Sequence, residues 1–548
     1  MKSAPRWLFC GTTLVYVAVG LYLAFVPGFF LGDSLSRVAT ARSVMFSRSP
    51  HLAAIGFVFT PLTAVAQLPI VYFSQWWTVL TERGVSAVLM SAPFMAGAVV
   101  QIHLTGRDRG LPPWLVWVAT AAFALDPMVV FYGANGMSEA PFLFLVIWAA
   151  RRLIRWCHTD DVHDLCLAGC AFGIAYLARY DSLAAAGAAT LFVMGVTVFR
   201  SSRRSRRGRI VEALLDGVII AMPSAIAALG WAFASWIITG QAFAQLSSSY
   251  GNTSILEQSG GGAATPLYGL LFSLAEIVVM GPFLPVLIPV VAVLAWQRRD
   301  LEVAAAAVVF GAIMIFAIRN YMTGSTFPFL RFYFAALPWM IILIYQLFAA
   351  HGQQWARRPG RYRRIRLSGT ERRGPVPATV AVLILVSTPI LTGALMSSPT
   401  LSDQQYALQA IVRPDPDDTT AKHTQELQII ASFSTERQLA HYIDSLQLPD
   451  SSVLMDTVYG FAVYTATTRP KTFVIPSDQD FVDVLNNPSG SGIRYILAVP
   501  NAGRGTSDAI NRRFPTLYDT GGDIASLELE VPNDGDDLPT WRLYRVTG

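Results

Sequence analysis

The sequence predicts an α-helical polytopic membrane protein with a C-terminal extracytoplasmic α/β domain, and three observations carry that prediction. The 548 residues are 53% hydrophobic and only 14% charged, with mean hydropathy +0.44, whereas a soluble domain carries about 25% charged residues. Eleven apolar runs approach the length of about 20 residues that a membrane-crossing helix needs. From residue 397 onward the composition turns soluble, so the chain divides into a membrane module at 1–396 and a polar domain at 397–548.

The candidate spans are 7–27, 87–104, 113–132, 140–157, 164–178, 183–199, 210–238, 266–296, 301–318, 332–350 and 378–396. Of the 41 basic residues only Lys2, Lys422 and Lys471 are lysines. The arginines gather in alternate short loops: Arg107 and Arg109; Arg151, Arg152 and Arg155; the run from Arg200 to Arg209; Arg298 and Arg299; and the stretch 351–374. Loop 240–265 has no Lys or Arg. Basic loops stay on the cytoplasmic side, which sets the N-terminus inside and the C-terminal domain outside, at a plasma (inner) membrane. The same rule accounts for the +5 net charge without a nucleic-acid partner. Cys10, Cys157, Cys166 and Cys170 all precede the polar domain, so no disulfide framework holds that domain. Cys166 and Cys170 share a helical face without nearby histidines, which favours packing over a metal or redox role.

Two segments need separate treatment. Residues 53–71 are apolar, but Pro61 and Pro69 oppose a continuous helix, and counting them as a span would turn every later arginine-rich loop outward. They are expected to lie along the outer surface, with Tyr72, Phe73, Trp76 and Trp77 as an interfacial anchor. Residues 34–47 are expected to be an amphipathic surface helix. Leu35, Val38, Ala39, Met45 and Phe46 lie on one face, with Ser34, Ser36, Arg37, Thr40 and Ser43 opposite. The run 266–296 exceeds one bilayer crossing and carries Pro282, Pro285 and Pro289, so it is either a kinked, protruding helix or a broken one.

In the polar domain, helix-like stretches (Glu436 to Leu446, Gln479 to Leu485, Ser507 to Phe514) alternate with strand-like ones (Ser452 to Met455, Thr472 to Ile475, Tyr495 to Val499, Ser526 to Val531, Trp541 to Val546). That alternation predicts an α/β fold. The acidic clusters Asp415 to Asp418 and Asp534 to Asp537 lack calcium-loop spacing and read as solvated turns.

Ionisable groups at membrane depth are costly and mark candidate sites. Those here, together with the polar Asn135, are expected on the outer side: Asp33 and Arg37, Asp126, Glu139, Arg179 and Asp181, Arg319 and Arg331. Each also has a plainer reading. Asp33 fits an N-cap, Glu139 a first-turn acid, Arg179 with Asp181 a local ion pair, Asp126 a packing contact, and the last two arginines headgroup anchors.

At these residues the chain resembles the GT-C membrane glycosyltransferases, in particular the polyprenyl-phosphate-sugar-dependent enzymes related to protein O-mannosyltransferases and bacterial arabinosyl- and aminoarabinosyltransferases. The shared features are an acid in the first outer loop (Gly32-Asp33-Ser34), a turn before the fourth span (Gly136 to Glu139) and an Arg-Tyr-acid turn after the fifth (Arg179 to Asp181). Many relatives carry paired acids where this chain has Asp33 followed by Ser34. The resemblance therefore implies no firm cofactor and leaves a divalent metal open.

The resemblance implies a donor sugar on a polyprenyl phosphate and an extracytoplasmic glycan, lipid or protein acceptor. Asp33 would be the general base. Arg331 and Arg319 would bind the donor phosphate, and Glu139, Asn135, Arg179, Asp181 and Arg37 would bind sugar or acceptor. The sequence contains no Walker loop, dinucleotide fingerprint or HExxH pair. A transporter or flippase of a lipid-linked or polar solute is the alternative, and it would need charges reachable from both sides. A noncatalytic scaffold binding cell-wall polymer is a third reading.

Overall fold

The computed structural model describes residues 4–201, 203, 205–248, 250–259, 262–298, 300–348, 355–356, 363–364 and 375–547. Each of the eleven apolar runs forms a helix or a pair of helices meeting at a bend. Seven are long and apolar enough to cross a membrane alone: Ala4–Phe25, Val85–Asp108, Ser182–Arg200, Arg206–Thr239, Leu301–Met322, Leu330–Phe348 and Val376–Leu395. Two bent pairs join them, Pro113–Ala124 with Pro127–Ala134 at 58° and Pro266–Met280 with Leu284–Gln297 at 80°. The remaining runs are Glu139–Thr159, which carries Arg151, Arg152 and Arg155, and the 17-residue Val162–Ala178.

The first bend corrects the expectation of one straight span over 113–132. Pro127 has no N–H to continue the helix, and the buried Asp126 carboxylate starts a new one by accepting from Met128 N at 3.0 Å. In the second pair, Gly281, Pro282 and Phe283 separate the two helices, so the run is broken rather than merely kinked.

Residues 53–71 form no span. Leu62–Val71 is a ten-residue helix with Pro69 inside it, about 15 Å long at the usual rise. Tyr72, Phe73, Trp76 and Trp77 are exposed beyond its end.

Helix Gly32–Phe46 departs from the surface helix expected at 34–47. Ser34, Arg37, Arg42 and Ser43 are buried along with Leu35, Val38 and Ala39. Leu35 and Ala39 sit in the core of the C-terminal domain, beside Phe433, Leu439 and Phe461. The polar side is satisfied by protein: Arg42 donates to the carbonyls of Tyr464 (2.6 Å), Thr465 (2.9 Å) and Thr467 (2.7 Å). These lie at the end of helix Thr457–Ala466, where the last carbonyls lack helical partners.

The C-terminal domain holds a five-stranded sheet. Val453–Met455 lies between Phe473–Val474 and Tyr495–Ala498, parallel to both, while Trp541–Val546 runs antiparallel between Tyr495–Ala498 and the edge strand Ala525–Val531. Helices Ser434–Ser445, Phe481–Asn486 and Ala509–Arg513 fall where the alternation placed them. Before the sheet, Ala407, Ala410 and Ile430 pack into the core of the membrane helices. The arginine-rich stretch 351–374 lies outside the described residues, apart from 355–356 and 363–364, which pair antiparallel.

Candidate functional site

Charged groups meet at two opposite ends of the helix bundle. At one end the arginines of the short loops find acids. Arg151 bonds Asp108 at 2.7 Å, Arg152 bonds Asp164 at 2.8 Å, and Arg109 reaches both Asp300 and Glu302. This network ties the loops together and leaves its acids and cations mutually matched.

At the other end, residues from separate segments form a chain of ion pairs. Asp181 accepts from Arg179 Nη2 at 2.6 Å, and Arg179 Nη1 donates to Glu139 Oε1 at 2.7 Å. Arg331 Nε lies 3.7 Å from that Glu139 oxygen, and its Nη2 donates to Asp33 Oδ2 at 2.8 Å. Arg37 Nη1 closes the set from the next turn of Asp33's helix, donating to the Asp33 carbonyl at 3.0 Å and reaching Met137 Sδ at 3.4 Å. Ser34 Oγ donates to the Asn135 carbonyl at 2.6 Å. Asp33, Arg37, Asn135, Glu139, Arg179, Asp181 and Arg331 therefore share one site.

Local structure explains each placement. Leu31, not Asp33, is the N-cap of helix Gly32–Phe46, so the Asp33 carboxylate in the first turn is free to face Arg331. The Asn135-Gly136-Met137 turn is held by Asn135 Oδ1, which accepts from Met137 N at 3.1 Å. Gly136 has φ +77°, and a Cβ there would lie 2.2 Å from the Ala87 Cβ, so only glycine passes. Helix Glu139–Thr159 begins at Glu139 itself, whose carboxylate thus sits at the positive helix end as well as between two arginines.

Aromatic rings carry the guanidiniums. Phe332 lies 5.1 Å from the Arg179 guanidinium carbon and 5.5 Å from that of Arg331, Phe329 lies 4.6 Å from Arg331, and Phe59 4.6 Å from Arg37. Such faces attract cations without neutralising them. The sequence reasoning passed over these rings, although the run Phe327, Phe329, Phe332 and Tyr333 around Arg331 was a visible signal.

Several polar atoms at the site have no hydrogen-bond partner among the described residues. They are Asn135 Nδ2, Glu139 Oε2, and Nε and Nη1 of Arg331. Buried groups of this kind cost free energy unless something binds them. Burial raises the Asp33 pKa, but the nearby Arg331 and Arg37 charges outweigh it and hold the carboxyl below its ordinary value.

Two expected members stand elsewhere. Arg319 is exposed on the last turn of Leu301–Met322 and joins no ion pair among the described residues. Asp126 is spent as the N-cap at the first bend. Among the described residues no three His, Cys, Asp or Glu side chains gather into a metal-holding group. Each acid of the site faces a guanidinium instead, a set that fits a divalent ion poorly.

No protein-family model matches the sequence, and no curated protein matches it. Among solved structures, the chain is similar to ArnT from Cupriavidus metallidurans bound to undecaprenyl phosphate, at 12% identity and TM-score 0.55 over 98% of each chain. The apo state of ArnT from the same organism aligns at 13% identity and TM-score 0.53, again over 98% of each chain. With so little sequence in common, what is shared is architecture: from first span to last strand, this chain has the GT-C fold of a polytopic membrane protein with a C-terminal domain.

Proposed function

We propose that the protein is a membrane glycosyltransferase that moves a sugar from a polyprenyl-phosphate donor to an extracytoplasmic acceptor with inversion. The observation that carries this reading is the chain of ion pairs from Asp33 through the buried Arg331 and Glu139 to Arg179 and Asp181, in a fold shared with a protein solved bound to undecaprenyl phosphate. Donors and acceptors left unpartnered there suit an oxyanion and sugar hydroxyls together.

In the proposed reaction Asp33 takes the proton of an acceptor hydroxyl. That oxygen bonds to the anomeric carbon while the bond from this carbon to the phosphate oxygen breaks, its electron pair leaving with the polyprenyl phosphate. The guanidinium of Arg331 offsets the charge that develops there, because its planar fork matches phosphate oxygens. Glu139, Arg179, Asp181, Asn135 and Arg37 hold hydroxyls and keep the two in place. Arg319 is the weaker candidate for phosphate, being exposed.

The Asp33–Arg331 contact uses only Nη2 of the guanidinium, and Nε and Nη1 are without a hydrogen-bond partner among the described residues. The fork can therefore take a phosphate oxygen on its free edge while Nη2 stays on Asp33.

Purified protein incubated with a panel of labelled polyprenyl-phosphate sugars tests the reading. Consumption of one donor with release of polyprenyl phosphate is expected. Vectorial movement of intact donor without cleavage would favour the flippase reading instead.

A further inference from the structure

We propose that Arg504, carried by the C-terminal domain, is an oxyanion-binding residue of the membrane site, where it engages a phosphate-like group beside Asp33. The inference rests on the transferase reading and adds to it a ligand-binding role for the outer domain.

The seam between the two parts of the chain passes directly by Asp33. A Cβ built on the adjacent Gly32 would lie 3.2 Å from the Phe433 ring and 3.8 Å from the Phe461 ring, both of the C-terminal domain. Tyr459, two positions before Phe461 on the same helix, has its ring centroid 5.4 Å from the Arg504 guanidinium carbon. Stacking fixes the plane of that guanidinium while its edge donors stay available. Among the charges that lower the Asp33 carboxyl against the effect of burial, Arg504 adds the smallest share, after Arg331 and Arg37.

The turn that presents Arg504 is built to hold still. It is the 3₁₀ segment Gly503–Ser507. Asn511 Nδ2 donates to the Gly505 carbonyl at 2.9 Å, and Gln258 Nε2, from the outer loop before the eighth span, donates to Ser507 Oγ at 2.7 Å. The same loop is pinned by Tyr250, whose hydroxyl donates to Asp456 Oδ2 at 2.8 Å.

Charge completes the argument. In the membrane module the guanidiniums of Arg37, Arg179 and Arg331 equal in number the carboxylates of Asp33, Glu139 and Asp181, with Arg37 bonding the Asp33 backbone carbonyl and the other two forming ion pairs. Arg504 forms no ion pair among the described residues, so it tips this balanced cluster to a net positive charge. A site assembled that way suits an anionic ligand, and two sources can supply it: the donor's lipid phosphate or an anionic group on the acceptor.

The test uses the full-length protein in nanodiscs, with Arg504→Gln and Arg504→Lys, undecaprenyl phosphate as the binding probe, and donor and acceptor KM measured separately. Arg504→Gln is expected to weaken one of these on the order of 10-fold, to flatten its dependence on ionic strength and to leave thermal stability near that of the parent, with Arg504→Lys recovering part of the loss. Weaker undecaprenyl phosphate binding assigns the oxyanion to the donor. Intact probe binding with a raised acceptor KM assigns it to the acceptor. Unchanged binding, KM and salt dependence in Arg504→Gln would overturn the inference. Parent protein that neither binds the probe nor cleaves any donor would instead overturn the transferase reading itself.

Discussion

Arg331 Nη2 donates to Asp33 Oδ2 at 2.8 Å, across 298 residues of sequence, and the two partners are unequally covered: the Asp33 side chain is 38% exposed, that of Arg331 only 6%. The acid is the partly exposed member of the pair and the cation the covered one. Asp33→Asn is therefore expected to leave the fold nearly unchanged, since Leu31 and not Asp33 occupies the cap position. Transfer should fall by about 10²–10⁴-fold, the usual contribution of general-base assistance. Turnover of the purified variant measures this, and near-normal turnover would remove Asp33 as the base and turn attention to Glu139.

Changes at Arg331 should behave differently, because its guanidinium faces Asp33 and Glu139 together. Arg331→Lys keeps the charge and loses the fork, so donor affinity should drop while the protein still folds. Arg331→Ala should in addition lower stability, because it removes a buried guanidinium packed on Phe329 and Phe332 and leaves Asp33 without its ion-pair partner, while Glu139 keeps Arg179. Thermal melts beside donor titrations separate the two effects. Equal donor affinity in parent and Arg331→Lys would argue against phosphate recognition by this residue.

The pH dependence follows from the direction of the Asp33 shift. Its folded value lies below the ordinary carboxylate value, so the pair's contribution to stability is fully present above the unfolded value of about 3.9. It is lost as pH falls through the lower folded value. The carboxylate is likewise ready as a base across neutral pH. A kcat/KM profile should show no acid limb from this group above about pH 4, and a limb between about pH 6 and 7 would assign the base to another residue.

Docking of the C-terminal domain should depend on Arg42, which is 3% exposed and donates to three carbonyls at the end of helix Thr457–Ala466. Arg42→Ala should cost on the order of 3 kcal/mol, given the worth of hydrogen bonds to charged groups. Amide hydrogen exchange should rise first in helices Gly32–Phe46 and Thr457–Ala466. Protection unchanged in both helices would show that apolar packing of Leu35 and Ala39 alone holds the joint.

Orientation is open to direct measurement. The arginine-rich loops are proposed to be cytoplasmic and the site with its domain to be outside, as the bias of basic loops requires. Single cysteines introduced at exposed positions of the C-terminal domain should react with an impermeant reagent in intact cells. Cysteines in the 201–209 loop should react only after the membrane is opened, and the reverse pattern would invert the scheme.

Hydropathy made the spans legible because burial in lipid demands long apolar runs, and all eleven runs recur as helices or bent pairs. The strands at Tyr495 and Trp541 were legible for a related reason, being short, β-branched or aromatic and bounded by turns. The break at Asp126 was not, since proline inside an apolar run reads equally as a kink. Nor was the fate of helix Gly32–Phe46. An amphipathic pattern states that one face is covered without stating by what, and Leu35 and Ala39 are covered by protein instead of lipid. Among site residues, Asp33, Glu139, Arg179 and Arg331 stood out as charges beside apolar runs. Their linkage into one chain depends on contacts across hundreds of residues that no local pattern records.

The contact of Arg42 with the Tyr464 carbonyl spans 422 residues, and it sets a timetable for biogenesis. At about 5–20 residues per second, roughly 20–85 s separate the synthesis of the two partners. Throughout that interval helix Gly32–Phe46 has emerged with Leu35 and Ala39 uncovered and Arg42 unmatched. A nascent chain halted after its last span would leave this helix with Leu35 and Ala39 uncovered and Arg42 without these carbonyls. A chain that stops short of residue 467 lacks the carbonyls that Arg42 bonds, so the helix carrying Asp33 is secured at its far end only once the C-terminal domain has followed it.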